Sequence, residues 1–101
     1  MDVSVVFRHC EPSDALRDYA HRKLGRLARV LGGEAEARVV LSVDRASHRA
    51  EVTLASRGVA VAAAEETDDM YAALDLVADK LERRFKDARG RRRRARRKSG
   101  A

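Results

Sequence analysis

The chain predicts an α+β fold: a two-layer sandwich in which two helices cover one face of a four-stranded, mostly antiparallel sheet. Three observations point to it. Residues 2–8, 36–44, 48–56 and a run from Val59 to Ala63 alternate apolar and polar side chains with period two, the pattern of half-buried strands. Residues 14–31 and 67–86 instead repeat their apolar residues every three or four positions, the pattern of amphipathic helices. The order is therefore β-α-β-β-β-α, and the last three strands are joined by short turns, which makes them consecutive antiparallel neighbours.

The first strand sets Val3, Val5 and Phe7 against Ser4, Val6 and Arg8. Pro12 stops it, and Ser13 is placed to cap a helix whose first turn holds Asp14. Leu16, Ala20, Leu24, Leu27 and Leu31 form that helix's apolar face, and Gly32-Gly33 ends it. Gly25 is an unfavourable interior residue, costing about 1 kcal/mol against Ala. It is either tolerated or kept for close approach of a partner.

Ala37, Val39, Leu41 and Val43 line one face of the second strand. A turn from Asp44 to Ser47 leads to Ala50, Val52 and Leu54, giving a hairpin. Arg57-Gly58 makes a second tight turn into Val59, Val61 and Ala63. Thr67 or Asp68 is then expected to cap the second helix, with Met70, Leu74, Val77, Leu81 and Phe85 facing the core. That helix is expected to end around Asp87-Ala88, shortly before Gly90.

Charge is distributed unevenly along the chain and around the second helix. The formal net charge is +6, but residues 89–101 hold eight basic residues and no acidic ones. Without them, 14 basic residues face 16 acidic ones, so residues 1–88 carry −2. At about 100° per residue, Lys80, Arg83 and Arg84 fall on one flank of the second helix. Asp75, Asp79 and Glu82 fall on the other, with Lys86 and Asp87 on the wrong sides. A solvated helix usually mixes signs for i,i+4 pairing, so this sorting suggests a polyanion partner. On the first helix Arg22, Arg26 and Arg29 form a stripe, Lys23 sits near the core edge, and Asp14 and Asp18 lie opposite the core in the N-terminal half.

Several function classes find no support. A single cysteine, Cys10, rules out an intrachain disulfide and fits a reducing cytoplasm. The first twelve residues do not read as a signal peptide, and no apolar run approaches a membrane span. His9, Cys10, His21 and His48 lack the pair spacings of zinc sites, and neither a phosphate-binding loop nor a nucleophile elbow occurs. A Cys10–histidine pair is the one conceivable catalytic constellation, and a half-buried cysteine beside solvated histidines is the simpler reading. Glu65-Glu66 and Asp68-Asp69 are accounted for by the helix dipole. No enzyme activity, metal, cofactor or small-molecule substrate is expected.

Nucleic-acid binding has better support. Arg22, Lys23, Arg26 and Arg29 on one helix, with Lys80, Arg83, Arg84 and Lys86 on the other, could contact phosphates without reading bases. Aromatics make up only 4% of the chain and Trp is absent, so base-stacking platforms are poorly supplied. Arg89, Arg91, Arg92, Arg93, Arg94, Arg96, Arg97 and Lys98 have no apolar period and are expected to form a disordered, accessory polyanion-binding tail over residues 89–101.

The segments RHCEPSDALRDYAHRKLGRL, SHRAEVTLASRG and TDDMYAALDLVADKLERRFK resemble the ribosome hibernation-promoting factor family, which includes the ribosome-associated translation inhibitors and was formerly called sigma-54 modulation protein. The similarity spans residues 1–88, and DMYAALDLVADKLERR is its most specific part. The resemblance implies the same β-α-β-β-β-α fold, without the dimerisation domain of long-form members. It also implies binding to the small ribosomal subunit between head and body, in the messenger and transfer RNA channel. Members inhibit translation there and preserve idle ribosomes under stress or in stationary phase. The family's basic helix residues carry over to Lys23, Arg26, Lys80, Arg83, Arg84 and Lys86, with Lys86 supported by resemblance alone. The expected partner is thus ribosomal RNA, for a cytoplasmic protein, monomeric when free and without a membrane partner. Two other readings are a general structured-RNA-binding module and a regulator that meets a protein through the open sheet face.

Overall fold

The computed structural model describes residues 2–99, and side chains as far as Arg91. Alternation in the sequence becomes strands β1 (Asp2–Arg8), β2 (Glu36–Asp44), β3 (Ser47–Ser56) and β4 (Val59–Thr67), with helices α1 (Asp14–Val30) and α2 (Met70–Ser99). The four strands lie in the order β1-β2-β3-β4. β1 runs parallel to β2, because α1 carries the chain back across the sheet between them, while β2–β3 and β3–β4 are antiparallel hairpins. The α+β sandwich read from the sequence is the fold observed.

Period-two patterning decides which sheet face is covered. Ala37, Val39, Leu41, Ala50, Val52, Leu54 and Ala63 point toward the helices and are buried. Alternate residues such as Arg38, Glu51, Thr53, Ala60 and Ala62 are exposed on the open face. Leu24 and Leu27 of α1, with Leu74, Val77, Leu81 and Phe85 of α2, close the core from above. Phe85 is the largest fully buried side chain.

The turns follow from local chemistry. Arg57 and Gly58 both have positive φ, 51° and 76°, the backbone of a two-residue hairpin turn whose twist matches the flanking strands. Gly32, at φ 84°, lets the end of α1 fold back: its N–H bonds the Arg29 carbonyl and that of Gly33 bonds Ala28, both at 3.2 Å. At the start of α1 the Leu16 N–H donates to Ser13 Oγ at 3.2 Å. Gly25 has open space where a Cβ would stand. Gly25→Ala should therefore stabilise the chain by about 1 kcal/mol, raising the thermal midpoint by about 4–8 °C. An unchanged or lower midpoint would contradict the reading of Gly25 as merely tolerated.

Two features of α2 correct the sequence reading. Its cap is Asp69 rather than Thr67 or Asp68: the Asp69 carboxylate accepts from the N–H groups of Tyr71 and Ala72, each at 3.3 Å. Thr67 instead accepts the Asp69 N–H at 3.0 Å, shaping the approach. The helix also passes Asp87-Ala88 and runs to Ser99, where the sequence reading leaves residues 89–101 without structure. Gly90 is the one glycine between Ala88 and Ser99, and Arg and Ala favour helix, so nothing there forces a stop. Gly100 and Ala101 of the expected tail lie outside the described residues.

Candidate nucleic-acid interface

α1 and α2 lie side by side on one sheet face, and their contacts fix which flanks meet. Lys23 Nζ of α1 lies 3.0 Å from Asp75 Oδ1 of α2. A groove between the helices is lined by Lys23, Arg26, Leu27 and Val30 on one side and by Ala78, Asp79 and Glu82 on the other. The acidic flank of α2 therefore faces the basic stripe of α1. The basic flank of α2 turns the other way, over edge strand β4. Lys80 Nζ pairs with Glu65 Oε1 at 2.5 Å and donates to the Ala64 carbonyl at 3.4 Å. Arg84 Nη1 donates to the Ala62 carbonyl. These contacts occupy carbonyls of β4, an edge that would otherwise be free to pair with another strand.

The expected binding residues thus divide by their present engagement. Arg26, Arg29 and Arg83 are exposed and form no side-chain hydrogen bond or ion pair with other described residues. Arg22 is exposed, and its guanidinium carbon lies 5.7 Å from the Tyr19 ring centroid. Lys23, Lys80 and Arg84 are engaged within the fold. Lys86 pairs with Glu82 at 3.7 Å, one turn away and on the acidic flank, as its angle in the sequence indicates. The two stripes share one helical layer but do not line one groove, since Asp75, Asp79 and Glu82 lie between them.

Tyr19 organises the α1 side and was not singled out in the sequence. Its hydroxyl donates to Asp75 Oδ1 at 2.5 Å, and its ring meets Tyr71 edge-on, with centroids 4.9 Å apart. Lys23 Nζ lies 5.7 Å from the same ring, and Tyr19, Arg22, Lys23 and Arg26 line a shallow recess. The available signal was the i,i+4 spacing of Tyr19 and Lys23, which places both on the flank facing α2.

This cluster shifts three titrations. Burial pushes the Asp75 carboxyl up, but the hydrogen bonds from Tyr19 and Lys23 and the Lys23 charge outweigh it, and the group titrates below its ordinary value. The bond to Asp75 raises the Tyr19 hydroxyl, with burial adding to it. The same partner raises Lys23 against the opposing effect of burial. A depressed carboxyl contributes stability above its unfolded value, near pH 4, and loses that contribution as pH falls through its folded value. Tyr19 and Lys23, both raised, contribute below about pH 10 and lose it as pH rises through their folded values. Asp75→Asn should therefore flatten the acid limb of a stability–pH profile. Because the Asp75 side chain is 44% exposed, the effect should stay within about 1 kcal/mol. An acid limb identical to that of the parent chain would contradict the clamp.

Arg89 leaves the expected tail and joins the fold. Its Nη1 donates to the Leu31 carbonyl at 3.4 Å, at the C-terminus of α1, and its guanidinium carbon lies 6.0 Å from the Phe85 ring centroid. A cation there also complements the helix dipole. Arg91 is exposed. The side chains of Arg92, Arg93, Arg94, Arg96, Arg97 and Lys98 lie outside the described residues.

Cys10 Sγ–H donates to the Leu41 carbonyl at 3.6 Å rather than to a histidine. Among the described residues no three His, Cys, Asp or Glu side chains are grouped to hold a metal, and no helix is long and apolar enough to cross a membrane.

Two helices present exposed arginines above a closed core. Comparison with known proteins gives the chain a family. Residues 3–93 match the family described as sigma 54 modulation protein / S30EA ribosomal protein, and the chain belongs to it. It is 39% identical over 85 residues to a ribosome hibernation promoting factor of Azotobacter vinelandii, spanning 84% of this chain and 79% of that protein. It is 32% identical over 85 residues to the protein of the same name from Escherichia coli strain K12, spanning 84% and 90%. The N-terminal domain of Thermus thermophilus Protein Y superposes with a TM-score of 0.79 at 41% identity, over 86% of this chain and 98% of that one. A ribosomal subunit interface protein from Coxiella burnetii shares the fold, with the same TM-score at 24% identity. The chain thus shares its family with proteins named ribosome hibernation promoting factor.

Proposed function

We propose that the chain binds the small ribosomal subunit between head and body, occupies the channel used by messenger and transfer RNA, and so holds idle ribosomes inactive in the cytoplasm. The observation that carries this reading is the set of exposed arginines, unpaired among the described residues, on both helices of a hibernation-factor fold: Arg26, Arg29 and Arg83. Phosphates are the natural partners of such a surface, which is poor in stacking aromatics and acts by steric block without chemistry. Arg22, Lys23, Lys80 and Arg84 extend it, and each engaged cation exchanges an internal partner for a phosphate. Lys86 contributes least, because it lies on the acidic flank of α2 beside Glu82.

In this reading residues 1–88 form the ribosome-binding unit and residues 89–101 an accessory cationic segment. Arg89 belongs with the first by its contact to Leu31. The free protein acts as a monomer. Sucrose-gradient profiles of ribosomes with the full chain and with a chain ended at Gly90 test it. Both should travel with small subunits, and the shortened chain should dissociate at lower salt, because fewer phosphates are neutralised. Absence of the full chain from the small-subunit peak at low salt would overturn the proposal. Equal binding to bulk duplex RNA would point instead to a general RNA-binding module.

A further inference from the structure

We infer that the helical face fits a polyanion whose phosphates run in two separate lines, and that Asp79 and Glu82 are specificity-determining residues that reject phosphates lying between those lines. This rests on the proposed RNA-binding role of the face and goes beyond it, because it says what shape of RNA the face refuses.

The order of charges across the helical layer sets this selectivity. Arg22, Arg26 and Arg29 lie on α1, and Lys80, Arg83 and Arg84 on the far flank of α2. Between them come Asp75, Asp79 and Glu82, with Asp79 and Glu82 lining the groove opposite Lys23 and Arg26. The three acids are not equally neutralised. Asp75 is held by Lys23 and Tyr19, at 3.0 and 2.5 Å. Among the described residues Glu82 has only Lys86, at 3.7 Å. Asp79 is exposed and has no ion pair among the described residues.

Packed helices lie about 8–10 Å apart, close to the Debye length of about 8 Å at physiological salt. A phosphate over the groove lies about half that spacing from Asp79 and Glu82, inside the Debye length, and is repelled by them, while phosphates over either basic line are attracted. Regular duplex RNA carries its phosphates in two helical lines at fixed groove spacings, and it cannot keep the middle strip clear at every register. A folded RNA surface on which two backbone segments diverge can do so. The acids then cost the intended partner little and the generic one more, which is discrimination by repulsion.

Asp79→Asn/Glu82→Gln removes both charges while keeping side-chain shape. Glu36→Gln/Glu51→Gln makes the same change in net charge on the open sheet face, where both residues are exposed. Affinities of the parent chain and both variants are measured at one salt concentration for a 20-base-pair RNA duplex and for purified small ribosomal subunits. The groove variant should bind the duplex about five-fold tighter, while its small-subunit affinity stays within about two-fold. The sheet-face variant should change duplex affinity by less than about two-fold, since its charges are remote. Equal duplex gains in the two variants, no gain in the groove variant, or a parallel gain for small subunits would each overturn the inference. Failure of the parent chain to bind small subunits would sink the functional proposal instead, leaving the duplex comparison to judge the acidic strip. Asp79→Asn alone serves as second variant if Glu82→Gln lowers the thermal midpoint.

Discussion

Arg26→Glu/Arg83→Glu should abolish co-sedimentation of the chain with small ribosomal subunits at moderate salt, without unfolding it. Each cation that neutralises a phosphate contributes about 0.7–0.9 to the slope of log affinity against log salt. At physiological salt that is about four- to five-fold in affinity per contact, so losing two costs about 20-fold and reversing them costs more. These two positions are chosen because both side chains are exposed and unpaired among the described residues, one on each helix. Reversing Lys80, Arg83 and Arg84 together should abolish binding as well, but it sets new acids against Glu65 and the carbonyls of Ala62 and Ala64. Binding and stability would then fall together and the result could not be assigned. For Arg26→Glu/Arg83→Glu, undiminished co-sedimentation with an unchanged salt slope would contradict the site.

The largest effect on stability is expected from Phe85→Ala. Phe85 is 1% exposed and lies in the core shared by α2 and the sheet. Truncating a buried Phe typically costs about 3–5 kcal/mol, combining lost transfer energy with the cavity left behind. Small domains have only about 5–15 kcal/mol in total, so the variant should be largely unfolded or should melt far below the parent chain. It should also loosen Arg89, whose guanidinium lies over the ring. Thermal denaturation followed by circular dichroism checks this. A loss below about 1 kcal/mol would contradict the packing described. The two variants separate the roles within one helix: Arg83 is expected to affect binding alone, and Phe85 stability first.

Much of this was legible because the patterns are local. Period two fixes which side of a strand is apolar, and only one face of the sheet can then be covered. Arg57-Gly58 announces its turn because Gly58 readily adopts positive φ. The apolar faces of both helices were readable for the same reason, from Leu24 and Leu27 to Phe85.

What was not legible depends on which flank of one helix meets which flank of another. Angles around a single axis place Asp75, Asp79 and Glu82 opposite Lys80, Arg83 and Arg84, but they do not say that the acids face Arg26. The topology decides that, through the pairing of Lys23 with Asp75. Arg89 was hidden by composition, since it opens a run of like charges. Its signal was weak but present: Leu81, Phe85 and Ala88 continue the apolar spacing, so the packed helix does not end before the arginines begin. Thr67, Asp68 and Asp69 are all capping residue types, and only the backbone geometry selects Asp69.

The most direct test of the central claim is hydroxyl-radical footprinting of small-subunit ribosomal RNA with and without the chain. Protections are expected only in RNA lining the channel between head and body, and they should be lost with Arg26→Glu/Arg83→Glu. Protections elsewhere on the subunit, or a footprint that survives those substitutions, would contradict that claim.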